Sequence, residues 1–198
     1  MCQLLESIKL FDGEFYNLDY HERRMTASLE KLFQNHSAIH LQDRLQSQNP
    51  PVTGLYKCRI VYDSTLFDIE YVPYNSASPQ SLKIVESNTI EYEHKYANRV
   101  DINNLYAQRA KCDEIIIAKN GLVTDASYAN ILFRQDNCWY TPKKPLLKGI
   151  KRQELLDKGL IKEKEIPLQD VIQYESIKLI NAMRGLEQQE IDVSNIVF

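Results

Sequence analysis

Lys95, in His94-Lys95-Tyr96-Ala97-Asn98-Arg99, carries a primary amine able to condense with a carbonyl. Thirty residues later Asp125 stands in Gly121-Leu122-Val123-Thr124-Asp125-Ala126-Ser127-Tyr128-Ala129-Asn130, at a turn between two apolar segments. An imine-forming lysine is useful beside an electron sink, an acid that keeps the sink's ring nitrogen protonated, and a grip for an anionic tail. Those are the demands of a pyridoxal 5'-phosphate site, with Asp125 the candidate ring acid. Arg24, in Tyr20-His21-Glu22-Arg23-Arg24-Met25, has a planar donor fork that matches phosphate geometry. The backbone N–H groups of Ile150 and Lys151, after Gly149, open a helix where free amides and the dipole favour an anion.

Each candidate has an ordinary alternative. Taken alone, Lys95 reads first as a solvated surface lysine, and Arg24 reads also as one more charge on a wet helix face beside Arg23, Asp125 as a turn former, and Gly149 as a plain entry to a helix. Asn98 and Asn130 suit turn stabilisation as well as ligand contact. The four histidines show no spacing for a metal or a triad, and Cys2, Cys58, Cys112 and Cys138 lie far apart without a CxxC, so neither a metal site nor a disulfide framework is expected.

The elements that must position these residues follow from periodicity. Leu4 to Leu10 reads as a strand, Asp12-Gly13 as a turn, Phe15 to Leu18 as a second short strand, and Asp19 as the N-cap of a helix over Tyr20 to Phe33. His40 to Ser47 reads as a helix, and Tyr56 to Tyr62 with Leu66 to Val72 as paired strands. The polar, proline-broken Tyr74 to Ser81 is the best linker, dividing residues 1–78 from 79–198. Beyond it come a strand at Leu82 to Glu86, a helix near Asn98 to Ala110, strands at Glu114 to Ala118, Leu122 to Asp125, Asn130 to Arg134 and Cys138 to Thr141, a helix at Ile150 to Lys158, and a strand at Ser176 to Ala182. Lys119-Asn120-Gly121 reads as a hairpin turn. Strands outnumber helices without βαβ alternation, so the fold class is α+β with two lobes.

At 198 residues and 43% hydrophobic the chain can bury a real core. Its net charge of −3 is small and its 24 Lys and Arg are scattered, which argues against a nucleic-acid or membrane partner and for a small molecule or protein. Residues 1–10 lack the apolar stretch of a signal peptide and the cysteine usage suits a reducing compartment, so a cytoplasmic protein with its natural start is expected. Six well-separated glycines form neither a GxGxxG nor a GxxxxGK loop, which excludes the glycine-rich nucleotide cradles.

Taken in order, Leu5-Glu6-Ser7-Ile8, His21-Glu22-Arg23-Arg24-Met25, Lys95-Tyr96-Ala97-Asn98-Arg99, Asp113 to Phe133, Tyr140-Thr141-Pro142, Lys148-Gly149-Ile150-Lys151-Arg152 and Asn181-Ala182 resemble the class IV aminotransferases, the fold-type IV pyridoxal phosphate enzymes. The resemblance implies a small N-terminal lobe, a larger C-terminal sheet lobe, and an active site between lobes near a dimer contact, hence a homodimer. It implies that Lys95 is the Schiff-base lysine, Arg24 the phosphate arginine, Ile150 and Lys151 the backbone phosphate donors, and Asp125 the ring acid where the family usually has glutamate, a shorter reach that calls for a backbone shift or a water. Arg99, Asn181, Ala182 and Arg184 are implied on the substrate side. The start is shorter than the family's, and with Lys95-x-x-Asn98-Arg99 and Asn181-Ala182 it looks most like the aminodeoxychorismate lyases of folate biosynthesis, whose partner is aminobenzoate synthase component I. The expectation is a lyase that makes 4-aminobenzoate and pyruvate from an amine substrate. The alternatives are a branched-chain or D-amino acid transaminase and a catalytically silent binding protein.

Overall fold

The first strand, β1 (Leu4–Phe11), alternates strictly: Leu4, Glu6, Ile8 and Leu10 are buried while Leu5, Ser7 and Lys9 are half-exposed, the period-2 pattern of a sheet with one face on a core. The computed structural model, which describes residues 2–34, 39–76 and 78–198, pairs β1 antiparallel with β2 (Glu14–Phe15) and with β3 (Leu55–Tyr62), and β3 with β4 (Phe67–Pro73). Helices α1 (Leu18–Phe33) and α2 (Leu41–Gln46) supply Met25, Leu29, Leu41 and Leu45 to a core with Leu4, Ile8, Cys58, Ile60 and Tyr62. Burying four such side chains contributes roughly 1.5–3 kcal/mol each.

The expected cap at Asp19 is displaced. The residue before α1 is Asn17, in the left-handed region at φ 60°, a conformation asparagine tolerates better than most residues. Leu18 thereby joins the helix, the second strand shrinks to two residues, and Asp19 enters the first turn, where its carboxylate meets Arg23 at 2.5 Å.

This four-stranded sheet belongs to one of two compact units, made of the described residues of Met1–Ser76 together with His94–Asn98; the other is made of those of Ala77–Glu93 and Arg99–Phe198. Ala77, inside the expected linker, lies outside the described residues. Segment 94–98 belongs to the first unit through its backbone: Leu5 N donates to Lys95 O at 2.8 Å, Ala97 N to Gln3 O at 2.9 Å, and Tyr96 bridges Leu4. An open strand edge carries unpaired N–H and C=O groups, and this segment pairs those at the start of β1.

The second unit opens with β5 (Leu82–Glu86), α3 (Val100–Tyr106) and a following 3-10 turn, then β6 (Glu114–Lys119), β7 (Leu122–Ala126), β8 (Asn130–Gln135), β9 (Cys138–Pro142), α4 (Ile150–Asp157), β10 (Lys162–Lys164), β11 (Ser176–Ile180), β12 (Ile191–Asp192) and β13 (Ile196–Val197). Its sheet runs β10-β9-β8-β7-β6-β5-β13, with β11 pairing β8 and β12. Pairs β5–β6, β13–β5 and β10–β9 are parallel and the rest antiparallel, so the sheet is mixed and the α+β class holds. Its core includes Leu82, Ile116, Ile131, Phe133, Val171 and Ile177.

Two local features aim the residues of interest. Asn120 (φ 53°) and Gly121 (φ 74°) close the β6–β7 hairpin with the two positive φ angles of a type I′ turn. One residue then bulges: Ala118 faces Val123 but Ile117 faces Asp125, leaving Thr124 over. A bulge re-aims the side chain beyond it, and here that side chain is Asp125.

Candidate active site

In the first unit an acid stands on the inward face of an apolar strand. Glu6 is 0% exposed; its Oε1 accepts from Arg24 Nε at 2.8 Å, and its Oε2 accepts from the other arm of the Arg24 fork at 2.5 Å and from His21 Nδ1 at 2.7 Å. Burial alone would raise the Glu6 carboxyl, but Arg24 and His21 together hold it down at about 2. His21 is shifted down as well, which leaves the ring neutral. Burial lowers its pKa, the Glu6 carboxylate opposes this, and the Arg24 and Lys95 cations add to the lowering. A neutral imidazole that donates from Nδ1 keeps Nε2 as a bare acceptor, and that atom is buried with no hydrogen-bond partner among the described residues. The short Glu6–His21 contact is therefore a hydrogen bond to a neutral ring rather than an ion pair.

Lys95 belongs to the same neighbourhood. Its main chain is fixed to β1, its side chain is half-buried, and its charge is felt at His21. His94 Nδ1 meets Ser28 Oγ at 3.0 Å, tying the preceding residue to α1. Arg23, by contrast, lies exposed with Asp19.

In the second unit the turn Ala126 to Ala129, closed by Ala126 N to Ala129 O at 2.9 Å, sets Asp125 directly across from Asn130. Cross-strand partners project to the same side, and Asn130 Nδ2 donates to Asp125 Oδ1 at 2.6 Å. Asp125 Oδ2 accepts from Leu147 N at 2.9 Å. Burial raises the Asp125 carboxyl to about 6 against the lowering by Leu147, Asn130, Leu146 and Arg152. Gly149 caps α4 at an ordinary φ of −72°, and the first-turn N–H groups of Ile150 and Lys151 have no acceptor within the helix. The Lys151 ammonium itself is engaged by Glu154 at 2.6 Å.

The implied substrate residues gather about that same turn. Arg99 donates to Ser127 O at 2.6 Å, Arg184 to the Tyr128 hydroxyl at 3.3 Å, and Asn181 Nδ2 to Tyr128 O at 3.4 Å. Asn181 and Arg184 also bridge each other through their main chains, with Ala182 in the tight turn between them. The structure thus assembles Arg24 and Lys95 in one unit, and Asp125, Ile150, Lys151, Arg99, Asn181, Ala182 and Arg184 in the other.

Several residues escaped the sequence reading. Besides Glu6 and His21 they include Glu114, 0% exposed, whose carboxylate receives Ser127 Oγ at 2.9 Å and Ile115 N at 2.8 Å, and which burial shifts upward. Arg152, 2% exposed, donates to Pro142 O and to Glu163. An acid on the buried face of an amphipathic strand was the available signal for Glu6; Glu114 heads the wholly apolar run Ile115-Ile116-Ile117-Ala118 in the same way.

The chain belongs to the class IV aminotransferase family, whose model matches residues 3–188. It is an enzyme of the pyridoxal phosphate-dependent lyase or aminotransferase kind. A crystal structure of a Haemophilus somnus 129PT protein, provisionally assigned as a 4-amino-4-deoxychorismate lyase, has a TM-score of 0.89 and 37% identity, covering 94% of this chain and 98% of that one. An uncharacterized protein of Haemophilus influenzae (strain Rd) is 40% identical over 194 residues, 94% of this chain and all of its own length. An aminodeoxychorismate lyase of Bacillus subtilis (strain 168) is 22% identical over 185 residues; the match takes in 78% of this chain but 63% of that enzyme, less than two thirds. Among the described residues no helix is long and apolar enough to cross a membrane and no cluster of His, Cys, Asp or Glu could hold a metal.

The fold family implies pyridoxal phosphate, and the residues present fit it on one structural ground. A Cβ built at Gly149 would overlap Asn130 Oδ1, so Asn130 packs on the backbone entering α4, and the first-turn N–H groups of Ile150 and Lys151 that follow are a donor set suited to an anionic tail, in the unit that also holds the buried acid Asp125.

Proposed function

We propose that the chain is a pyridoxal phosphate-dependent lyase that converts 4-amino-4-deoxychorismate to 4-aminobenzoate and pyruvate. The observation that carries the reading is the assembly around one turn: Asp125 and Asn130 at its base lead to the helix opening at Gly149, and Arg99, Asn181 and Arg184 close on Ser127 and Tyr128. Two guanidinium groups at one turn suit a substrate with two carboxylates. A guanidinium carries five donors, enough to hold the turn and a carboxylate together. The likeness to the Haemophilus somnus protein over nearly all of both chains supports lyase over transaminase.

On this reading Lys95 would hold the cofactor through Nζ, Arg24 and the amides of Ile150 and Lys151 would hold its phosphate, and Asp125 would serve its ring nitrogen. When bound, the cofactor takes up the electron pair left by proton removal. The Lys95 amine would remove the proton from the amine-bearing carbon of the substrate. The bond from the ring carbon to the enolpyruvyl oxygen then breaks, the three-carbon fragment leaves and is protonated to pyruvate, and the ring becomes aromatic. Glu6 neutralises part of the Arg24 charge and fixes its plane, and neutral His21 buttresses Glu6 without adding a cation beside Lys95. Component I of aminobenzoate synthase would supply the substrate, and the family's homodimer is the expected assembly.

Purified protein given aminodeoxychorismate should release pyruvate and 4-aminobenzoate in equal amounts. Slow exchange of an amino acid's amine with a keto acid, and no pyruvate, would assign the transaminase instead. Asp125 adds a pH signature. Its pKa of about 6 lies above the ordinary 3.8, so the free carboxylate that a ring nitrogen needs is present above about pH 6 and is lost below it. Cofactor affinity should fall as pH drops through that region, and the Asp125→Asn protein should lack that part of the fall. Superimposable pH profiles for the two proteins would remove Asp125 from the ring.

A further inference from the structure

We propose that Asn130 is a positioning residue that joins the ring acid to the phosphate turn, so that one side-chain amide sets the place of both. This rests on the cofactor reading under Proposed function and concerns how the chain builds that site.

Asn130 is 5% exposed at the start of β8. Both hydrogens of its amide nitrogen are committed, one to Asp125 Oδ1 at 2.6 Å and one to Leu147 O at 2.8 Å. Two acceptors on that side fix which end of the amide is nitrogen, since an oxygen there would face a carboxylate and a carbonyl. Leu147 returns a bond through its N–H to Asp125 Oδ2. The three residues therefore close a ring of hydrogen bonds, and Leu147 is two residues from the cap of α4. The far end of the amide, Oδ1, sits over Gly149 in the space a Cβ would need. The φ of Gly149, −72°, is open to any residue, so its glycine is explained by space alone, and the occupant of that space is Asn130. Because Asp125 is one methylene shorter than glutamate, its carboxylate lies close to its own strand, within reach of Asn130 and of Leu147. A shift of residue 147 would move Asp125 and the amides of Ile150 and Lys151 together.

The test compares two ligands that differ by the phosphate. Full-length protein freed of cofactor is titrated with pyridoxal phosphate and with pyridoxal, as wild type, Asn130→Ala, Gly149→Ala and the double variant, with thermal melting alongside. Loss of a charge-assisted hydrogen bond is worth about tenfold or more in affinity. Each single variant should lose affinity for both ligands, since the ring acid moves, and should lose about tenfold more for pyridoxal phosphate than for pyridoxal, because the phosphate turn is displaced with it. The double variant should lose much less than the product of the two, since the Cβ at 149 no longer meets Oδ1. A ratio of the two affinities equal to wild type in the single variants overturns the proposal, while cofactor binding itself stands. Wild-type protein that binds neither pyridoxal phosphate nor inorganic phosphate overturns the functional reading as well. Should Asn130→Ala melt below the assay temperature, Gly149→Ala, with Asn130 intact, decides between the outcomes through the same ratio.

Discussion

Lys95→Ala is expected to cut pyruvate release from aminodeoxychorismate by at least about 10³-fold, the loss that follows when a positioned proton-transfer group is deleted. The effect should fall on the chemical step while the fold survives. Lys95 is bound into the first unit through its main-chain oxygen, which accepts from Leu5 N, and its neighbours Tyr96 and Ala97 bridge Leu4 and Gln3 by backbone alone. Truncating its half-buried side chain leaves all of that in place. Borohydride treatment of wild type should fix the cofactor to Lys95 irreversibly and turn its visible absorbance into that of a reduced amine; the variant should release cofactor on denaturation. A well-folded Lys95→Ala protein that keeps turnover within about tenfold of wild type would take the lysine out of the mechanism.

The second large effect is on stability. Glu6→Gln should cost about 3–5 kcal/mol, because it leaves Arg24, whose side chain is 15% exposed, facing a neutral partner in a buried site. For a chain of this size that corresponds to a fall in Tm of roughly 10 °C. The same carboxylate gives a pH signature of known sign. Its folded pKa of about 2 lies below its ordinary 4.5, so its contribution is complete above about pH 4.5 and is lost as pH falls through about 2. The difference in stability between wild type and Glu6→Gln should therefore be largest near neutral pH and close by about 3 kcal/mol on acidification. Pairing Glu6→Gln with Arg24→Met should cost less than the two single changes added together, since neither then strands the other's charge. A Glu6→Gln melting curve that overlays wild type at pH 7 would show that the buried pair contributes nothing.

Much of this architecture was legible because its signals are local. The alternation of Leu4 to Leu10, the Lys119-Asn120-Gly121 turn and the glycine before Ile150 each act within a few residues, and each element formed within a residue or two of its expected bounds. What failed was the entry to α1, where Asn17 took a left-handed conformation and left Asp19 inside the helix. What was invisible depended on distance along the chain. The Glu6 to Arg24 fork spans 18 residues, the Ser176 to Ile180 strand reaches back to β8, and β13 closes on β5 from the far end of the sequence. The site divides in the same way. Asp125 and Asn130 are close in the sequence and proved to be hydrogen-bonded, but the convergence of Arg99 and Arg184 on one turn needed the fold, because 85 residues separate them.

The return of residues 94–98 to the first unit means that the polypeptide changes allegiance three times, after 76, after 93 and after 98. The N-terminal portion is therefore not a module that could be inherited, swapped or expressed by cutting once at the polar stretch near residue 78. Such a fragment would lack the five residues that carry Lys95 and would leave the donors and acceptors at the start of β1 open to any passing strand. A gene fusion or transplant of this lobe would have to carry the lysine as a separately encoded piece, which ties Lys95 and the sheet it rests on to one another's evolutionary fate.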